Sequence, residues 1–402
     1  MPIDRQTTAL DAIVASPFAR LAALLSGIEP AAKPIDLSLG EPRAMIPNFL
    51  GPILQERLGE FGRYPPIRGI PALREAISGW IGRRYPSLTR QINPERHVLP
   101  LTGSREGLFS AIFPALARRE FAEKPAVLIP NPFYQAYAAA AAASRTEAVY
   151  LPAGGETGFL PDLEALSEEL LRRTAVLYLC SPSNPQGAVA GRDYLAKAVE
   201  LARRFDFLLF ADECYSEIYS DAPPPGALEV AHVSRGSFAN VLAFQSLSKR
   251  SGLPGLRSGF IAGDPDFIAA FSRFRNVACP QMPLPVQHAS VAAWGDEAHV
   301  EQGRARYREN FDIADEILGC RYGYRRPEGA FFLWLDMSRF GGGEEAAKTL
   351  WQDSGVKVLP GTYLARVEPD GSNPGKDHVR IALVSNGETT REALTRIVVR
   401  LG

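Results

Sequence analysis

Cysteine is scarce in this 402-residue chain: Cys180, Cys214, Cys279 and Cys320 are the whole set, and no two form a C-x-x-C pair. That spacing argues against both a zinc knuckle and a disulfide framework. Cys180 and Cys214 end apolar runs and read as buried reduced thiols, which fits a cytoplasmic setting. Histidine is sparse too. His97, His232, His288, His299 and His378 are scattered without an H-E-x-x-H or similar cluster, so no metal site is expected. Charge of either sign is not in excess: 44 Lys plus Arg face 45 Asp plus Glu, for a net charge of −1. Nothing in that balance predicts a surface for nucleic acid or an anionic membrane. No apolar run is long enough to cross a bilayer. The opening stretch is broken by Asp11 and Arg20 and lacks a signal-peptide core. Its Leu10, Ile13, Val14, Leu21 and Leu24 suit an amphipathic helix that lies on the body of the protein or on a partner chain.

What is present is an ordinary globular composition, 46% hydrophobic and 22% charged, in a chain long enough for two connected domains. Between about residues 100 and 265, strand-like and helix-like segments alternate. AVLIP (126–130), TEAVYL (146–151), AVLYLCSP (175–182), FLLFADE (207–213) and VLAFQS (241–246) read as strands. Residues 133–144, 162–173 and 192–205 read as helices. The alternation predicts an α/β fold, a mostly parallel sheet covered by helices on both faces. The proline-rich stretch 276–287 reads as the passage to a smaller α+β domain. That domain would hold a helix at 299–317, strands in FFLWLDM, VKVLP and HVRIALV, and a closing helix at 388–400. The glycines at 341–343 read as a mobile loop. The expected divisions are an N-terminal arm with part of the small domain (1–45), a large domain (46–285) and a small domain (286–402).

Sites in such sheets lie at the carboxyl ends of strands, which singles out SPSNP, ADE and QSLSK. Lys249 follows a strand, is flanked by Ser246 and Ser248, and precedes Gly252, Gly255, Arg257 and Gly259. A lone lysine is usually a solvated charge. In this setting an amine held partly unprotonated forms a Schiff base with an aldehyde. Hydroxyls and the planar donors of Arg257 suit a phosphate. Gly103-Ser104-Arg105 opens a helix-like segment whose free N–H groups suit an anion, although a plain capped helix is the commoner explanation of such a start. Asp212 alone also reads as a helix cap, SPSNP as a turn, and Tyr134 as a core tyrosine.

Taken together, these residues resemble a family. SLSKRSGLPGLRSG resembles the lysine motif of the class I/II aminotransferases, which are fold type I pyridoxal-phosphate (PLP) enzymes. Ser258 is the one departure, standing where the family has a small apolar residue. The resemblance runs from SLGEP to the last helix and implies a large domain built on a seven-stranded sheet plus a small domain. It implies that Lys249 binds the cofactor, that Asp212 faces the pyridine nitrogen, and that Tyr215 and Asn184 face the ring oxygen. Asn184–Pro185 would be a candidate cis bond. Tyr134 would stack on the ring, while Gly103, Ser104, Arg105, Ser246, Ser248 and Arg257 would line the cofactor site. Tyr64 would reach the phosphate of a neighbouring subunit, making the enzyme a homodimer. Arg380 would grip the substrate α-carboxylate, and Gly40 would face the substrate.

The implied reaction is a ping-pong exchange of an amino group between an amino acid and a keto acid or aldehyde, with glutamate and 2-oxoglutarate as the default pair. No Arg or Lys lies between Asn276 and Gln287, which argues against the aspartate-specific branch. GSREGLFSAIF with SLGEPR is most similar to the succinyldiaminopimelate aminotransferases of bacterial lysine synthesis. Arg105 and Arg43 are then the candidates for a distal carboxylate. Other transaminase specificities and C–S β-lyases share these residue types and stay open. A regulator's effector-binding domain without turnover is disfavoured because the pattern begins by about residue 35, leaving too few residues ahead of it for a winged helix. A binding protein that has lost the cofactor is disfavoured by the intact Lys249, Asp212 and Arg257 set.

Overall fold

The computed structural model describes residues 16–43 and 46–402. Twelve strands are present among the described residues: β1 (Ile35–Asp36), β2 (Val98–Leu101), β3 (Ala126–Asn131), β4 (Glu147–Pro152), β5 (Thr174–Cys180), β6 (Leu208–Asp212), β7 (Val241–Ser246), β8 (Gly259–Gly263), β9 (Phe332–Asp336), β10 (Val356–Lys357), β11 (Leu359–Pro360) and β12 (His378–Ala382). Seven of them form one sheet in the order β2-β8-β7-β6-β5-β3-β4. Only β8 runs antiparallel to its neighbours. The central strands β5, β6 and β7 are buried along their whole length and mostly apolar because both faces are covered. Leu177, Leu179, Leu209, Ala211 and Ala243 face one core, while Tyr178, Phe210, Leu242 and Phe244 face the other. The alternation follows from the two-residue period of a strand.

Two strands of this sheet were not legible in the sequence. β2 contains Pro100, which breaks a strand pattern, and β8 is bounded by Gly259 and Gly263. The helix expected over 162–173 forms only at Glu168–Arg173. Asp162 accepts from the backbone N–H groups of Glu164 and Ala165 and closes a turn there, so the helix starts from a second cap, Ser167.

The smaller sheet has the order β11-β12-β9, and β1 pairs in parallel with β10. The helix Pro17–Leu24 lies on this unit, with Leu21 packed among Leu359, Tyr363 and Leu364 and Leu24 against the same cluster. Leu10, Ile13 and Val14 fall outside the described residues. The stretch 276–287 does not leave the large core. It ends one helix, Pro265–Ala278, and begins another, Leu284–Gly295, whose Trp294 packs against Trp80 and Phe260 at centroid separations of 4.9 and 5.0 Å. The chain crosses to the small unit at Asp296–Glu297, before the helix Ala298–Leu318. The glycines at 341–343 are not a loose loop. Gly342 caps the helix Gly343–Ser354, and a Cβ on Gly343 would lie 2.1 Å from the His378 carbonyl oxygen. Among the described residues no helix is long and apolar enough to cross a membrane.

Candidate active site

Strands β5, β6 and β7 run in parallel and end in register, with Cys180 opposite Asp212 and Asp212 opposite Phe244. Their carboxyl ends therefore deliver Asn184, Asp212 and Lys249 to one edge of the sheet. They line a single cavity of about 480 Å³ together with Gly40, Ser104, Arg105, Tyr134, Tyr215, Ser246, Ser248, Arg257 and Arg380.

Lys249 stands on the one-turn helix Leu247–Arg250, which Ser246 caps by accepting from the Ser248 N–H at 3.1 Å. The Lys249 Nζ donates to the Gly40 carbonyl and lies 5.2 Å from the Phe331 ring centroid and 5.8 Å from that of Tyr215. Burial, assisted by Arg380 and Arg105, brings its pKa down to about 8, while Cys214 and Glu41 oppose the shift. An amine there is partly unprotonated near neutrality, the condition for attack on an aldehyde.

Asp212 is buried, and burial raises its pKa. The Cys214 side chain, the Tyr137 hydroxyl at 2.6 Å, the Cys214 N–H at 3.3 Å and the charge of Lys249 counter that effect. In the sequence Tyr137 reads only as part of a helix. The signal is its place three residues after Tyr134, on one helical face, and the two rings meet edge to face at 5.6 Å. Cys214 reads there as a plain buried thiol, yet it lines the cavity and donates to the Ser104 Oγ at 3.0 Å.

Arg380 comes from β12 and is 4% exposed. Its Nη1 donates to Asn184 Oδ1 at 3.0 Å and its Nη2 to the Ser38 carbonyl at 2.7 Å, while Nε has no partner. No carboxylate among the described residues pairs with it. Desolvation lowers its pKa to about 10. The guanidinium lies over the Phe332 ring at 4.4 Å. A buried cation left without a counter-charge is costly, so a carboxylate entering here gains more than it would at the surface. Asn184–Pro185 is cis, as are Ser181–Pro182 and Asn131–Pro132.

At the other end of the cavity, Arg257 donates to the carbonyls of Pro254 and Thr102. Gly103 does not line the cavity, yet it makes this approach possible. A Cβ there would stand 2.3 Å from Arg257 Nη2, and its φ of +82° favours glycine. Gly259 is equally constrained, since a Cβ would lie 3.1 Å from the Ser104 backbone nitrogen. Ser258, the departure from the family pattern, is fully buried and shares a 2.7 Å hydrogen bond with Ser290. Arg105 is exposed at the mouth and donates through Nε to the Tyr134 hydroxyl. Besides Gly103, two expected residues do not line the cavity. Tyr64 is fully exposed. Arg43 bonds Ser385 Oγ and the Asp36 carbonyl and lines a separate small pocket with Arg306 and Asn310. Both of its Nη atoms are held in those bonds, and Arg43 does not line the cavity of Lys249.

Residues 32–397 match the family model described as aminotransferase class I and II. The chain belongs to that family. A Neisseria meningitidis aminotransferase crystal structure superposes with a TM-score of 0.91 at 39% identity, covering 98% of this chain and 99% of that one. An LL-diaminopimelate aminotransferase of Desulforudis audaxviator is 30% identical over 92% of this chain and 90% of its own. A Thermus thermophilus structure, described as a probable N-succinyldiaminopimelate aminotransferase, has a TM-score of 0.83 at 28% identity, covering 96% of this chain and all of that one. Class I and II aminotransferases are PLP-dependent transaminases, and this enzyme is one. The cavity fits that cofactor. Its lining offers an amine of lowered pKa, a buried carboxylate, an arginine whose approach Gly103 permits, and the hydroxyls of Ser104, Ser246 and Ser248.

Proposed function

We propose that this aminotransferase takes the amino group of N-succinyldiaminopimelate and passes it to 2-oxoglutarate. One observation carries the choice of a dicarboxylic substrate. Arg380 and Arg105 line the same cavity, and neither is paired with a carboxylate of the described chain. Arg380, deep and buried, suits the α-carboxylate beside the reacting carbon. Arg105, at the mouth with its Nη atoms unpaired, suits a carboxylate far along the substrate. Two relatives named for diaminopimelate chemistry support the class.

In this reading Asp212 would hold the pyridine nitrogen of PLP, Tyr215 and Asn184 would hold its ring oxygen, and Tyr134 would cover the ring. Ser104, Ser246, Ser248 and Arg257 would hold the phosphate, and Lys249 would make the covalent link. Bound PLP supplies an electron sink for the electrons left at the substrate Cα when its proton departs. The chain does the remaining work. Arg380 fixes the α-carboxylate and so orients the Cα–H bond toward Lys249. Lys249 Nζ, once displaced from the cofactor by substrate, would be the base that takes up that proton and gives it back. Phe331 and Phe332, against Gly40 and Tyr215, keep bulk water from the Lys249 side.

The exposed Leu58, Phe61 and Tyr64 support a homodimer in which Tyr64 reaches the neighbouring site. The deciding assay is a transamination panel with 2-oxoglutarate. N-succinyldiaminopimelate should exceed aspartate and aromatic amino acids by orders of magnitude, and Arg105→Gln should remove that advantage. Equal rates across the panel would discard the assignment. Pyruvate release from cystathionine would favour a β-lyase instead.

A further inference from the structure

A second cavity, of about 320 Å³, opens on the back of the Lys249 turn and is lined by Lys249, Ser251, Asp296, His299 and Gln302. Within it the His299 Nε2 lies 2.8 Å from Ser251 Oγ, and Nδ1 contacts Asp296 Oδ1. The His299 backbone N–H also donates to Asp296 Oδ1, at 3.0 Å. The proton positions follow from the neighbours. Hydrogen bonds from His299 hold the Asp296 carboxyl below its usual range, so it is ionised and accepts from Nδ1–H. Nε2 then accepts from the Ser251 hydroxyl, whose oxygen accepts from Arg250 Nη1 at 3.3 Å. Burial lowers the His299 pKa, which keeps the ring neutral in this arrangement.

Both ends of this chain of bonds matter for where it sits. Ser251 lies two residues after Lys249. Arg250, between them, is buried and donates to the Ala293 carbonyl at 2.7 Å, the Asp296 carbonyl at 3.3 Å and Glu297 Oε1 at 2.8 Å. Asp296–Glu297 is the connection between Leu284–Gly295, packed on the large core, and Ala298–Leu318, packed on the closing helix of the small unit. Phe49 covers the imidazole edge at 5.7 Å. Glu217, Arg304 and Arg306 also face this cavity.

We propose that Asp296, His299 and Ser251 form a positioning chain that ties the Lys249 turn to the crossing between the two units, with His299 as its adjustable member. His299 touches neither substrate nor cofactor. It acts by fixing Ser251, and through it the backbone that aims the Lys249 amine. This rests on Lys249 being the cofactor lysine. A bond at the crossing point registers any displacement of the small unit, which carries Arg380, at the residue that moves the proton.

The test compares Ser251→Ala, His299→Leu and His299→Gln, the last of which keeps a polar atom near the Nε2 position, as purified holoenzymes. Two quantities are read: kcat and KM for the amino donor, and the pH midpoint of the visible absorbance of the bound cofactor. The expected result is a kcat loss of about tenfold or more in His299→Leu with KM nearly unchanged, because misaimed groups cost rate rather than binding. The absorbance midpoint should move in the same variant. His299→Gln should recover part of both effects, and Ser251→Ala with His299→Leu should be no worse than the poorer single variant. Unchanged midpoints with losses that follow only the melting temperature would overturn the proposal, as would additive losses in the double variant. Lys249→Ala run alongside separates the two readings. If that variant keeps the absorbance, the role of Lys249 fails. If it loses the absorbance while the His299 variants behave as wild type, only the positioning chain fails.

Discussion

Tyr137 donates its hydroxyl to Asp212 Oδ2 at 2.6 Å, and its ring lies stacked on Tyr178 with centroids 4.4 Å apart. The stack leaves the Tyr137 side chain no freedom to turn away, so the donor is fixed where the carboxylate needs it. Burial alone would push Asp212 toward its neutral form, and this bond is one of those that resist it.

Tyr137→Phe removes the donor while keeping the ring. A hydrogen bond to a charged group contributes about 1.5–3 kcal/mol, so affinity for PLP and kcat should each fall by roughly tenfold or more. The Asp212 pKa should rise, since a bond favouring its charged form is gone. The acidic limb of the kcat profile then shifts to higher pH. Spectral titration with PLP and a pH–rate series measure both, and an unchanged acidic limb would contradict the role given to this pair.

Arg380→Lys keeps one positive charge but loses the planar fork. The bonds to Asn184 Oδ1 and the Ser38 carbonyl cannot both be kept by an ammonium in place of the guanidinium. With about 3 kcal/mol at stake, kcat/KM should drop by roughly a hundredfold for every amino donor alike. A loss confined to one donor would move the α-carboxylate contact elsewhere.

The amine of Lys249 titrates near 8 in this fold against 10.5 for the ordinary side chain. The unfolded chain therefore binds more protons than the folded one between those two pH values. Stability of the apoprotein should rise with pH across that window and reach a lower plateau beneath it. Lys249→Met should flatten this dependence and should be the more stable protein near pH 7. Denaturant unfolding of both apoproteins from pH 7 to 10 reads the difference directly. The same replacement should abolish the visible absorbance and reduce transamination by at least about a thousandfold.

Gly103→Ala places a methyl 2.3 Å from Arg257 Nη2 on a backbone with φ of +82°. Strain of about 1–3 kcal/mol is relieved by moving the guanidinium out of the cavity. PLP affinity should fall by about tenfold, with little further loss when Arg257→Ala is combined with it. A fully additive double variant would show that the two residues act separately.

Much of the site was legible from local order. Asn184, Asp212 and Lys249 each follow an apolar run, and strands of that kind end at one edge of a parallel sheet. β2 and β8 were not legible, because Pro100 and the glycines at the two ends of β8 hide strands whose partners come from distant sequence. Tyr137 and His299 were missed as site residues for a related reason. Each has an unremarkable helical or scattered setting, and its partner lies far along the chain.

The order of residues by itself determined which chemistry is available: an amine after a strand, a carboxylate on the neighbouring strand, and an arginine in an apolar segment. Those are properties of residue type and short-range periodicity, which a linear chain carries in full. Only tertiary structure decided that Arg105 shares the cavity of Lys249 while Arg43 is turned to Ser385. It likewise decided that Arg380 is buried with no counter-charge among the described residues and that Ser251 meets a histidine from the domain crossing. Desolvation and long-range hydrogen bonds arise only when separate segments pack together, and no local pattern encodes which of them will meet.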